Sequence, residues 1–325
     1  MLTTTTPITL RTLGAWARPR LATPIWSSGL GLARSVLALG TAATIATTSP
    51  SILMSPLANG ASPPVCGSVS RAGLWCVTGE NLTLGRWLSV AVLLVAASGW
   101  RPRLTAIPHW WVSWSLVVNA TLVDGGDQVT TVLTMLLIPI LITDRRHWHW
   151  QRSINSGGDP GIRHVVARAS LLLIHIQIAV LYFQSSVAKL GVPEWADGTA
   201  MFYWSRDPTF GSAPWVRPIM ELFTYSPFGV ALVSWGAIAL ELTIALAIFF
   251  RRPALRRALL IAGISFHALI AMDIGLVSFF MAMTGALLLY LLPPGQHIAA
   301  VDAVERLVTG RRVMTPSHAR AKDLP

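Results

Sequence analysis

Eight apolar runs divide this chain, near residues 35–57, 84–100, 104–123, 128–143, 165–189, 228–250, 257–272 and 274–293. A bilayer core about 30 Å thick takes about 17–25 helical residues to cross. Little sequence remains between the runs. Charged residues make up 12% of the 325, against roughly 25% in soluble domains, too few to face water on all sides. The expected fold class is an all-α integral membrane protein, a bundle of about eight transmembrane helices with no large soluble domain.

The runs set the expected organisation. Residues 1–34, Thr-rich and bearing Arg11, Arg18, Arg20 and Arg34, read as a cytoplasmic tail. Residues 35–295 read as the transmembrane domain and 296–325 as a second cytoplasmic tail. The first run has some character of a cleaved signal peptide. The basic region before it is long for that, which favours a retained helix.

Charge gives the orientation. With the N-terminus inside and eight alternating spans, 20 of the 25 Lys and Arg residues fall on the cytoplasmic side. Arg71, Arg86, Lys189, Arg206 and Arg217 remain outside. The expected localisation is the cell membrane, multi-pass, with both termini cytoplasmic. The net charge of +11 comes from short Arg patches between apolar runs, so the lipid bilayer is the expected partner and nucleic acid is excluded.

Cys66 and Cys76 share one outside loop, with nine residues between them. This is not a CxxC pair and no His lies close by, so no metal site is expected. A disulfide stapling the loop is the favoured reading, and a redox-active pair is the alternative. No G-x-S-x-G, H-E-x-x-H, Walker A or dinucleotide fingerprint occurs, so soluble-enzyme chemistry has no residues to rest on.

Ionisable groups inside spans are costly and point to candidate sites. The fifth run holds His175, Tyr182 and Lys189, spaced by seven and therefore on one helical face. The sixth holds Glu241 and the seventh His267. A cluster of His175, Glu241 and His267 at mid-depth is geometrically possible, and each is equally readable as a hydrogen-bond partner inside the bundle. Lys189 stands out because the chain has 23 Arg and two Lys. A desolvated Lys can lose its proton and act as a base, whereas Arg cannot. The plain alternative is a snorkelling Lys that marks the helix end. The Asp124-Gly125-Gly126-Asp127-Gln128 link reads as a polar hairpin or part of the site. The stretch Asp144 to Trp150 reads as an anchor at the lipid headgroups.

Leu181-Tyr182-Phe183-Gln184-Ser185-Ser186-Val187-Ala188-Lys189-Leu190, with Trp195 and Gly198, resembles the HTTM domain family, which includes the vitamin K-dependent gamma-carboxylase. Glu241 and His267 fit the same pattern. Cys66 and Cys76, Ala97 to Arg103, His109-Trp110-Trp111, Asp124 to Gln128 and Asp144 to Trp150 are similar to the sporulation-delaying protein B family of bacteria. The similarity spans about residues 35–295.

That second resemblance implies maturation of a secreted antimicrobial peptide toxin, with a precursor peptide and a small partner protein. The catalytic candidates are then Lys189, His175, Glu241 and His267, with Tyr182, Trp195, Asp124 and Asp127 as substrate contacts. The gamma-carboxylase resemblance implies that Lys189 is a base acting on a reduced quinone cofactor. The alternative function is thus a quinone-dependent carboxylase or epoxidase. The chain lacks that enzyme's large C-terminal lumenal region, which argues against glutamate carboxylation. A non-catalytic scaffold or immunity protein is the third reading.

Overall fold

The computed structural model describes residues 25–56, 64, 66–79, 81–152 and 161–299. The tails expected before residue 25 and beyond 299 lie outside them. Eight long helices appear, one for each apolar run: α1 Ser28–Thr47, α2 Leu82–Ser98, α3 Pro102–Asn119, α4 Gly125–Ile142, α5 Ile162–Leu190, α6 Pro227–Leu246, α7 Pro253–Ile274 and α8 Val277–Leu291. Five of them (α1, α4, α5, α6 with its following 3₁₀ turn, and α7) are long and apolar enough to cross a membrane, and α2 and α8 are apolar but shorter. The protein is an all-α, multi-pass membrane protein.

Local sequence sets the ends of these helices. Ser27, Asn81, Asp124 and Ser226 each accept a hydrogen bond from a backbone N–H of the first turn. Such a cap contributes about 1 kcal/mol. Pro102, Pro227 and Pro253 occupy first-turn positions, where a missing N–H costs nothing. The expected first span shifts. It begins at Ser28, not 35, and stops at Thr47, not 57, because Pro50 cannot continue the α1 ladder and starts a separate short turn, Pro50–Leu53. Arg34, expected in the tail, is therefore inside α1 and fully buried.

α1 is the central element. It packs on α2 along one side and on α8 along the other, so the first and last helices close the bundle. Glycines bring α1 and α8 together: a methyl placed on Gly40 would lie 2.8 Å from Met281 Cβ, and one on Gly285 would lie 2.6 Å from Leu37. Small residues at such a crossing are how helices gain contact in lipid, where apolar burial alone drives nothing. α4 links α3, α5 and α8, while α6 lies on α5 and α7 on α8. The core has two parts, one among α1, α4, α5 and α8, the other among α1, α2, α3 and the loop after α1.

The remaining helix faces are apolar and bare. α5 buries Ala167, Leu171, Ile174, Ile178, Tyr182 and Ser186 at helical spacing and leaves Leu172, Leu173, Ile176, Val180, Phe183 and Val187 exposed. A band of this size belongs against lipid tails.

Cys66 and Cys76 form a disulfide. Their loop docks on the end of α3: Asn119 Nδ2 donates to Cys76 Sγ (3.2 Å) and to the Ser70 carbonyl (3.1 Å), and Trp111 Nε1 donates to the Ala72 carbonyl (2.7 Å). The stretch between α5 and α6 is also structured, with short helices Pro193–Ala196, Ala200–Trp204 and Arg217–Thr224.

Candidate functional site

α5 presents Tyr182, Ser185, Ser186 and Lys189 along one stripe toward α6 and α7. Lys189 Nζ donates to Glu241 Oε2 at 2.7 Å and to Ser185 Oγ at 2.8 Å. The Lys189 side chain is 22% exposed and that of Glu241 7%. The Trp195 ring, carried by the turn Pro193–Ala196, lies 5.6 Å from Nζ on another side. Two turns deeper along α5, the Tyr182 hydroxyl and His267 Nε2 share a hydrogen bond of 2.8 Å, both groups buried. Phe266 and Phe279 pack edge-on against the His267 ring, and its Nδ1 is buried with no partner. An ion pair and a buried phenol–imidazole pair thus stand side by side.

Lys189 is deeper than the end of a helix suggests. Its partner Glu241 lies 14 residues into α6 from Pro227, about 21 Å along that axis at 1.5 Å per residue. The chain beyond Lys189 climbs alongside α6: Trp235 Nε1 donates to the Ala196 carbonyl (3.3 Å), and Met201 N donates to Ser234 Oγ (3.1 Å). It then crosses to α7, where Ala213 N donates to the Asp273 carbonyl at 2.7 Å. Residues 191–226 therefore roof the ion pair.

His175 stands apart from this group. It sits 14 residues before Lys189 on α5, again about 21 Å along the axis. Its Nε2 bonds the Leu289 carbonyl (3.1 Å) and its ring meets Tyr290 edge-on, near the far end of α8. Asp124 and Asp127 form a reciprocal capping box at the start of α4. Asp124 also accepts a hydrogen bond from Ser278 at the start of α8. They reach the His267 ring only through Phe279, the neighbour of Ser278. Glu241, Lys189, Tyr182, His267 and Trp195 are thus brought together; His175, Asp124 and Asp127 are not. Ser185 is an addition, and its signal was present: it lies four residues before Lys189, on the same face. Among the described residues no group of three or more His, Cys, Asp or Glu could hold a metal ion.

A second polar cluster lies between the first turns of α1, α3 and the turn after α4. Arg34 donates to Thr105 Oγ1 at 2.7 Å. Asp144 and Arg146 are paired at 2.7 Å, and His149 is buried against Gly31 and Gly99. Gly99 ends α2 at φ 88, and a Cβ there would lie 2.2 Å from the His149 ring. Burial, and then Arg34, Arg146 and His109, push the His149 pKa down to about 2. The stretch expected to lie at the headgroups is therefore divided: Arg145, His147 and Trp148 are exposed, while Asp144 and His149 turn inward.

The chain matches the HTTM domain over residues 129–291. It is also 40% identical to the uncharacterized protein YitO of Bacillus subtilis (strain 168) over 273 residues, 82% of this chain and 86% of that one. It is 32% identical over 276 residues to sporulation-delaying protein SdpB of the same bacterium, 84% of each chain. The chain belongs to the HTTM domain family, in the SdpB-like group. No solved structure matches it. Within the HTTM domain lie Tyr182, Lys189, Trp195, Glu241 and His267; the disulfide loop and the Asp124–Asp127 box precede it.

Proposed function

We propose that this chain is an SdpB-type membrane protein that matures a secreted peptide, with Lys189 as the general base at a site opening to the outer side of the membrane. The observation that carries the reading is the Lys189–Glu241 pair at 2.7 Å, set in the HTTM domain of a chain 32% identical to SdpB over 276 residues. The name of that relative supports the sporulation-delaying pathway, and the geometry supports the chemistry.

In a poorly solvated site, separated charges lose the advantage that water gives them. A proton that moves from Lys189 Nζ to Glu241 Oε2 leaves a neutral amine beside a neutral acid. The amine then takes a proton from bound substrate, and Glu241 gives the proton it holds to the departing product, which restores the ionised pair. Ser185 and the Trp195 face orient Nζ, and Tyr182–His267 lines the floor. The excess of Arg at the α1-start end and the disulfide at the other support an outward-facing site.

Lys189→Arg tests the base, because it keeps the charge but cannot give up the proton. Peptide maturation in cells should fall at least 100-fold, the common size of a general-base contribution, while membrane levels of the protein stay unchanged. Maturation at the wild-type rate would refute the assignment.

A further inference from the structure

The segment between α5 and α6 holds an open cleft of about 430 Å³, within the range of small-ligand sites. Arg206, Asp207, Ser212, Arg217 and Glu221 supply its polar lining. Its walls are tied down. Arg206 Nη1 donates to the Phe202 carbonyl (2.8 Å), Ser205 Oγ (3.2 Å) and Thr224 Oγ1 (3.2 Å), so the guanidinium bridges two short helices. Asp207 Oδ1 accepts from the backbone N–H groups of Thr209 (2.8 Å) and Phe210 (2.7 Å).

Two polar groups here are left over. Ser212 is 2% exposed, yet its hydroxyl has no partner; Arg206 Nη2 is likewise buried and unpaired. A buried polar group without a partner costs about 1–3 kcal/mol, and a small shift that turns either group to the cleft surface would offset that cost by meeting a ligand atom. The cleft offers guanidinium donors and carboxylate acceptors together. A phosphate or other pure anion would meet Asp207 and Glu221. A polypeptide end carries both a carboxylate and N–H donors and suits the mixture.

We infer that this cleft binds the C-terminal end of an extracytoplasmic peptide, its carboxylate on Arg206, Arg217 and the Ser212 hydroxyl and its N–H groups toward Glu221. This rests on the peptide-maturation reading and adds where the substrate is held. Ala213, in the cleft wall, is bonded to Asp273, six residues along α7 from His267, about 9 Å of rise. On this inference, a peptide anchored at its end extends from this level toward Tyr182–His267 and Lys189.

The test uses the full chain in nanodiscs of phosphatidylcholine and phosphatidylglycerol, with a mixed-sequence octapeptide library bearing free C-terminal carboxylates and its C-terminally amidated twin. The free acids should be retained about tenfold over the amides. Arg217→Gln, at an exposed position, and Ser212→Trp, which fills the cleft, should each remove the difference. Lys189→Arg should leave it intact. Acid-selective retention in Lys189→Arg protein that still matures peptide would support the cleft and remove only the base. Equal retention of acids and amides, or acid selectivity that survives Arg217→Gln, would overturn the inference. So would phosphatidylethanolamine that copurifies with wild type and is lost from Ser212→Trp without change in peptide retention, which would make the cleft a lipid-headgroup site.

Discussion

Glu241 and Lys189 answer for each other. Removing one leaves the other as an unpaired ion in a site where the acid is 7% exposed. Breaking a buried pair costs about 3–5 kcal/mol, and replacing both partners by apolar groups is often close to neutral. Glu241→Leu should therefore lower the thermal unfolding temperature in detergent clearly, and Glu241→Leu with Lys189→Met should recover most of it. A double variant no more stable than the single would mean that the pair carries no coupling. Tyr182→Phe tests the floor below. Among the described residues it strips the only hydrogen-bond partner from His267, whose other ring nitrogen has none there, at a cost of about 1–3 kcal/mol. The sequence made these residues visible because charges are rare in spans and seven-residue spacing sets a face. It did not show how deep Lys189 lies. The residue ends its own helix, and only the pairing with Glu241, far along α6, reveals the roof above it. His175 shows the converse: shared spacing gives a shared face, but 14 residues of rise carry it to a different layer.

At the scale of elements, the turn after α4 carries a pH dependence whose sign follows from burial. His149 titrates near 6.5 when unfolded and is pushed down to about 2 when folded. The folded form thus binds fewer protons, so stability is complete above the unfolded value and falls as pH drops from about 6.5 toward 2. Between pH 7 and pH 5 the loss from this residue is about 2 kcal/mol by the single-site relation. Unfolding of the wild type in detergent should grow easier over that range, and His149→Asn should flatten the dependence. An unchanged slope in the variant would show that His149 does not hold its buried neutral form. The disulfide loop makes a separate prediction. Replacing Cys66 and Cys76 by Ser should cost about 2–3 kcal/mol, because the loop closed by the disulfide is short. Proteolysis between α1 and α2 reads this directly. The helices themselves were legible from the apolar runs, whereas the Asp124 box read only as a polar hairpin or part of the site. The short helices of 191–226 were not. Pro, Trp and Gly recur there in a pattern equally compatible with loop, and what orders them is tertiary: Trp235 under Ala196, Ser234 under Met201, Asp273 under Ala213.

For the whole molecule, orientation decides which substrate can arrive. The helix ends alternate, so the roof over Lys189, the disulfide loop, the Asp124 box and the start of α8 share one side of the bundle. The opposite side collects Arg101, Arg103, Arg145, Arg146, Arg251, Arg252 and Arg257. Basic loops resist translocation, so the proposed orientation keeps this side in the cytoplasm and turns the roof outward. Buried Arg34 lies at this Arg-rich end without contributing to its surface charge, so the bias rests on the exposed arginines between helices. Phosphatase fusions after Leu122 and after Thr224 should be active outside the membrane, and fluorescent-protein fusions after Arg152 and after Arg257 should fluoresce inside. The inverse pattern would place the Lys189 opening in the cytoplasm. A secreted peptide then could not reach the amine after export, and a reducing compartment would open the Cys66–Cys76 bridge. The same four fusions thus test the topology, the disulfide and the side from which a substrate enters, because one geometry links all three.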